Sequence, residues 1–169
     1  MLAALVLAAL TAPAQTGLAT IEYNVRPPNF AIPTARGTTY LSDLRGKVVV
    51  VDFWATWCHV CTEELKDFVR ATNVYGKSIA VVTISDELPG VASSYLEHWD
   101  IALPIVEDVQ GAIFRTYSVS KVPVTLVLDG SGVVSYVSVG GLSWEELAQA
   151  IERAQGSPPT STRAPGVLQ

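Results

Sequence analysis

The sequence predicts one α/β domain, a mixed sheet with helices on both faces, and three observations make that prediction. Lys47 to Trp54 is a β-branched run bounded by Arg45-Gly46, which reads as a central strand buried on both faces. From residue 58 to about 73 the apolar spacing turns helical, and Ser78 to Ser85 is a second buried strand, giving strand–helix–strand. Near the C-terminus a hairpin pattern is followed by an amphipathic helix. The order is βαβ, then a helical insert, then ββα.

Each element has a local cause. Cys61, Leu65, Phe68, Val69 and Thr72 form the stripe of the first helix, and Asn73 with Gly76 ends it. Leu88 to about Trp99 reads as a helix with Pro89 in its first turn, and Gln110 to Tyr117 as a short one. Pro123–Leu128, the turn Asp129-Gly130-Ser131-Gly132 and Val133–Val139 make the hairpin, which Gly140-Gly141 closes. Ser143 and Glu146 have the spacing of a capping box, and Trp144, Leu147, Ala148 and Ile151 give the last helix its apolar stripe.

The composition excludes several classes. A chain of 169 residues, 49% hydrophobic and 16% charged, buries a substantial core and is not globally disordered. A net charge of -5 without a Lys/Arg run argues against nucleic acid as a partner. Two cysteines are too few for a disulfide scaffold or a four-cysteine zinc site. Residues 1–14 contain no charged side chain. The apolar run Leu2–Leu10 and the small-x-small site Ala12-Pro13-Ala14 read as a signal peptide cut after Ala14, or as an apolar N-terminal segment or truncated anchor. The expected destination is the periplasm or an equivalent extracytoplasmic space, free or membrane-associated. The domain is then 15–155, and 156–169, rich in Pro, Ser and Thr, reads as a disordered tail.

The chemistry lies in Trp57-Cys58-His59-Val60-Cys61, after a buried strand and opening a helix. Unpaired N–H groups and the helix dipole stabilise a thiolate there. Cys58, nearer solvent, is the expected nucleophile. Cys61, one turn further in, is the expected resolving thiol. Other readings compete. A structural disulfide over so short a loop gains little chain entropy. Haem attachment needs His where Thr62 stands, and a peroxidatic cysteine of the peroxiredoxin kind needs Ser or Thr where Ala55 stands. Two thiolates with His59 have the softness to hold Cu(I), which leaves copper binding or delivery as an alternative. Asp52, an acid in an apolar strand, should have its pKa raised by desolvation.

Asp52–Cys61 resembles the active-site strand and turn of the thioredoxin fold, and Val122-Pro123-Val124-Thr125 resembles its cis-proline loop. The chain is most similar to the exported TlpA/ResA/CcmG-like group. Pro28-Asn29-Phe30 with Leu41–Lys47 looks like that group's N-terminal hairpin, Glu64 matches its helix glutamate, and the insert between Ser85 and Lys121 also fits. The resemblance implies a thiol–disulfide oxidoreductase with no cofactor and no metal. Its Cys58–Cys61 pair would exchange with protein disulfides or dithiols, with reduction the favoured direction, as in cytochrome c maturation or general disulfide reduction. A membrane electron donor of the CcdA/DsbD type is implied. Asp52 becomes a proton acceptor for Cys61, and Glu64 either tunes that transfer or is solvated beside Glu63. Val122 and Pro123 hold the substrate, with Trp57, His59 and Val60 at the rim, and Trp54 is core. Two departures bear on direction. His59-Val60 replaces the usual Gly-Pro or x-Pro, and a protonated His59 would favour a disulfide oxidase. Lys66 replaces a helix-kinking Pro, so a straighter helix is expected.

Overall fold

The computed structural model describes residue 21 and residues 23–156. The segment 1–14, and all but the first residue of the expected tail 156–169, lie outside them. The chain builds β1 (Ala31–Thr34), β2 (Gly37–Tyr40), β3 (Val48–Phe53), α1 (His59–Tyr75), β4 (Ile79–Ser85), α2 (Val91–His98), β5 (Ile105–Glu107), α3 (Ala112–Thr116), β6 (Val124–Leu128), β7 (Val134–Val139) and α4 (Trp144–Ala154). Strands β1 and β2 form the N-terminal hairpin; the others form one mixed sheet in the order β5-β4-β3-β6-β7. Strand β3 runs parallel to β4 and antiparallel to β6, so it is hydrogen-bonded on both edges.

Alternation along β3 divides the core. Val48, Val50 and Trp54 pack with α1, α2 and α4 through Leu65, Phe68, Leu96, Leu147 and Ile151. Val49, Val51 and Phe53 pack on the other face with Phe114 of α3 and Ile32 of the hairpin. Every residue of β3 is buried, as a β-branched run without polar alternation requires. Asp52 shares parity with Val50 and Trp54, which puts its side chain on the α1 side.

Local chemistry sets the helix ends. Cys58 caps α1, and Gly76 ends it at φ 56, a conformation glycine adopts without strain. The helix runs unbroken through Lys66, which pairs with Glu63 at 3.0 Å. The Ser143–Glu146 capping box forms in both directions. Pro89 lies ahead of α2, not in its first turn. The cap is Gly90 at φ 82, so the chain turns sharply before the helix begins. The insert is also not wholly helical. It contains β5, whose three residues extend the parallel edge of the sheet beside β4. Behind β5, the Asp108 carboxylate accepts N–H bonds from Ala112, Ile113 and Phe114, satisfying free donors at the start of α3.

Candidate active site

The end of β3 delivers the cysteine pair. Trp54 N–H still donates to Ile84 in β4, and the chain then turns, Cys58 N–H donating to Ala55. Cys58 and Cys61 are joined in a disulfide with a Cα–Cα distance of 5.3 Å. Cys58 is 9% exposed and Cys61 fully buried, so only one sulfur is within reach of a partner. Cys58 Sγ accepts the backbone N–H of Cys61 at 3.2 Å. That donor, with the helix dipole, favours a negative charge on Cys58 once the pair is reduced. Trp57, His59 and Val60 are exposed around it.

The loop before β6 lies beside the end of β3, where Val124 pairs with Phe53. The Val122–Pro123 peptide bond is cis, Pro123 is buried and Val122 is half-buried. Gly140 N–H donates to the Pro123 carbonyl, which brings the 140–142 loop alongside. Gly141 lies so close to the disulfide turn that a Cβ on it would sit 2.7 Å from Val60 Cγ1.

Two carboxyls are buried on the α1 side. Asp52 Oδ1 accepts the Thr125 hydroxyl at 3.0 Å, and Oδ2 has no partner. Burial, reinforced by the field of Glu64, pushes the Asp52 pKa well above the usual carboxylate range. Glu64 is 4% exposed, so it turns inward, and the solvated position is taken by Glu63 with Lys66. Glu64 Oε1 accepts the Leu142 N–H, and Oε2 has no partner. Burial raises the Glu64 pKa to about 7, against the opposing effect of the Leu142 bond. A buried disulfide sulfur and two acids that hold their protons unusually long therefore share one side of the sheet.

A family model described as AhpC/TSA matches residues 24–137. The ResA thiol–disulfide oxidoreductase of Geobacillus kaustophilus is 30% identical over 74% of this chain and 74% of its own length. The chain belongs to the AhpC/TSA family, in its ResA-like group. A second relative of that kind, the thioredoxin-like protein YneN of Bacillus subtilis, is 29% identical over 78% of this chain and 80% of its own. Among solved structures, a Chlorobium tepidum protein described as a DsbE-type thiol:disulfide interchange protein superposes with a TM-score of 0.73. It has 29% identity and covers 80% of this chain and 99% of that one. Like its ResA-like relatives, this chain is a thiol–disulfide oxidoreductase of thioredoxin-like fold, with Cys58 and Cys61 as its CxxC pair.

Several contacts of this ResA-like site have no periodic or motif signature. Thr125 could be found only by setting β6 beside β3, where it faces Asp52. Gly140-Gly141 reads in sequence as a hairpin closure, yet it also positions Leu142 over Glu64. Glu87 is the least expected. Its carboxylate accepts the N–H and hydroxyl of Thr56 at 2.8 and 2.7 Å and the Ser85 hydroxyl at 3.0 Å, tying the disulfide turn to the end of β4. His98 is exposed on α2, edge-on to Trp99. Among the described residues, no group of three or more His, Cys, Asp or Glu is arranged to hold a metal ion. Among them too, no helix is long and apolar enough to cross a membrane.

Proposed function

We propose that this protein is an exported reductase of protein disulfides. In the reduced form the Cys58 thiolate attacks one sulfur of a substrate disulfide, and the other substrate sulfur leaves as a thiolate. Cys61 then loses its proton to the buried acids and attacks Cys58 Sγ. This forms the Cys58–Cys61 disulfide and expels the second substrate thiolate. Two electrons pass to the substrate, and the buried proton is returned when the pair is next reduced. Val122, Pro123, Trp57, His59 and Val60 form the rim on which an extended substrate segment lies.

The observation that carries this reading is the burial of Cys61 on the side that holds Asp52 and Glu64. Full burial of Cys61 disfavours a charge on its sulfur, so the dithiol is a readier electron donor than one whose thiolates are stabilised. His59 is exposed, and solvent weakens its opposing pull. Such a reductant needs an electron source, and a membrane donor of the CcdA/DsbD type supplies it in a compartment without a reducing thiol pool. Residues 1–14 are the export signal in this reading.

Cys61→Ser should trap a mixed disulfide through Cys58 with a disulfide-containing protein such as insulin. Absence of any adduct while insulin reduction persists sinks the mechanism. The reduction potential tests direction. A value near about -270 mV or lower is expected, and one near about -120 mV would make the protein an oxidant.

A further inference from the structure

Helix α2 turns Ala92 and Leu96 into the core and leaves an apolar stripe outside. Val91, Tyr95 and Trp99 are spaced four residues apart and line one side of α2, and Leu88 lies in the turn that leads into it, its carbonyl accepting the Val91 N–H. Leu88 is 73% exposed and Trp99 60%, Val91 is exposed, and Tyr95 is half-buried. Scattered exposed side chains are ordinary, but a stripe along one short helix is not. Trp99 is also held in place. Its ring lies 6.2 Å from that of Tyr95, which in turn meets buried Trp54 at 5.7 Å. Tryptophan fixed in this way is a common anchor of binding energy.

The stripe continues to the disulfide. Glu87 ties Thr56, and the residues that follow these two are Leu88 and Trp57, both strongly exposed. Charge marks the same region. From Ser78 to Phe114 there are six carboxylates and no Lys or Arg. The rest of the chain, with ten acids and eleven bases, carries none of the net -5. Asp86, Glu97 and Asp100 are exposed around the stripe.

We propose that the outer face of α2, with the Leu88 loop, is a docking surface for a polypeptide that carries apolar side chains flanked by lysine or arginine. It rests on the reading that the disulfide exchanges with proteins, and it adds the kind of protein. The apolar side chains cover Leu88, Val91 and Trp99, and the flanking cations meet the surrounding carboxylates. Their field repels an anionic membrane and a second copy of this chain alike. A partner held here keeps its sulfur beside Trp57 and Cys58 without a contact to the sulfur itself.

Cysteine-free peptides separate docking from exchange. Two short labelled peptides, each with a Leu-Phe-Leu centre, one flanked by lysines and the other by glutamates, are titrated against the full chain and followed by anisotropy. The lysine peptide should bind at least about tenfold tighter, and its advantage should shrink as salt rises. Leu88→Ser and Trp99→Ser, exposed positions where folding is checked by circular dichroism, should each weaken it at least about fivefold. Equal affinity for the two peptides, or unchanged affinity in both variants, overturns the proposal. So does binding to phosphatidylglycerol vesicles, or a dimer in sedimentation, that the same variants abolish. Exchange is read separately by giving the reduced protein the lysine peptide with a disulfide built in. If that peptide binds and is not reduced, the preceding reading fails and the docking surface stands.

Discussion

Glu87 holds Thr56 with both carboxylate oxygens, one on the backbone N–H and one on the hydroxyl, two residues before Cys58. The disulfide turn is therefore fastened to the β4–α2 loop as well as to its own helix. Glu87→Ala should cost about 1.5–3 kcal/mol in urea unfolding, the range for bonds to a charged group. Removing this charge from beside the turn should also lower the Cys58 thiol pKa, so iodoacetamide alkylation at neutral pH should speed up. Unchanged stability and unchanged alkylation would show that the tether does nothing for the turn.

Asp52 is buried and short of one hydrogen-bond partner, which makes its charged form expensive. Asn can still accept the Thr125 hydroxyl and cannot ionise. Asp52→Asn should therefore stabilise the oxidised protein above neutral pH. The gain is read as a rise in the urea midpoint of the oxidised protein above pH 7. The same change removes a proton acceptor, so a mixed disulfide through Cys58 should live longer. A destabilised Asp52→Asn protein contradicts the assignment.

Glu64 gives the oxidised protein a particular pH dependence. Folding raises its pKa from the ordinary 4.5 to about 7, so between these values the folded state holds more protons than the unfolded one. Stability from this group is complete below about pH 4.5 and is lost as pH rises through about 7. Glu64→Gln should flatten that fall, measured as the urea midpoint across the range. The same slope in the variant would mean that another group, Asp52 first, produces it.

Gly141 has φ +99, and a Cβ there would overlap Val60 Cγ1 at 2.7 Å. Gly141→Ala should destabilise by about 1–3 kcal/mol, through backbone strain and the push on the disulfide turn. Adding Val60→Ala removes the overlapping atom and should recover part of the loss. If it recovers nothing, the cost lies in the backbone alone.

What the sequence by itself determined is what short-range chemistry encodes. The β-branched run of β3, the helical spacing after Cys58, the Ser143–Glu146 cap and the hairpin turn at Asp129 each depend on residues within a few positions of one another. The cysteine pair is legible for the same reason, because a strand end and a helix start are both local. Strand β5 escaped because three residues are too few to show alternation, and it is held by pairing with β4. Only the tertiary structure decided between Glu63 and Glu64, since neighbours on one helix differ by which meets the Leu142 N–H, 78 residues away. It likewise set Asp52 against Thr125 and Glu87 against Thr56. A hydrogen bond between distant residues leaves no periodicity in the chain, and burial, which raises the acids' pKa values, exists only once the sheet and helices have closed over them.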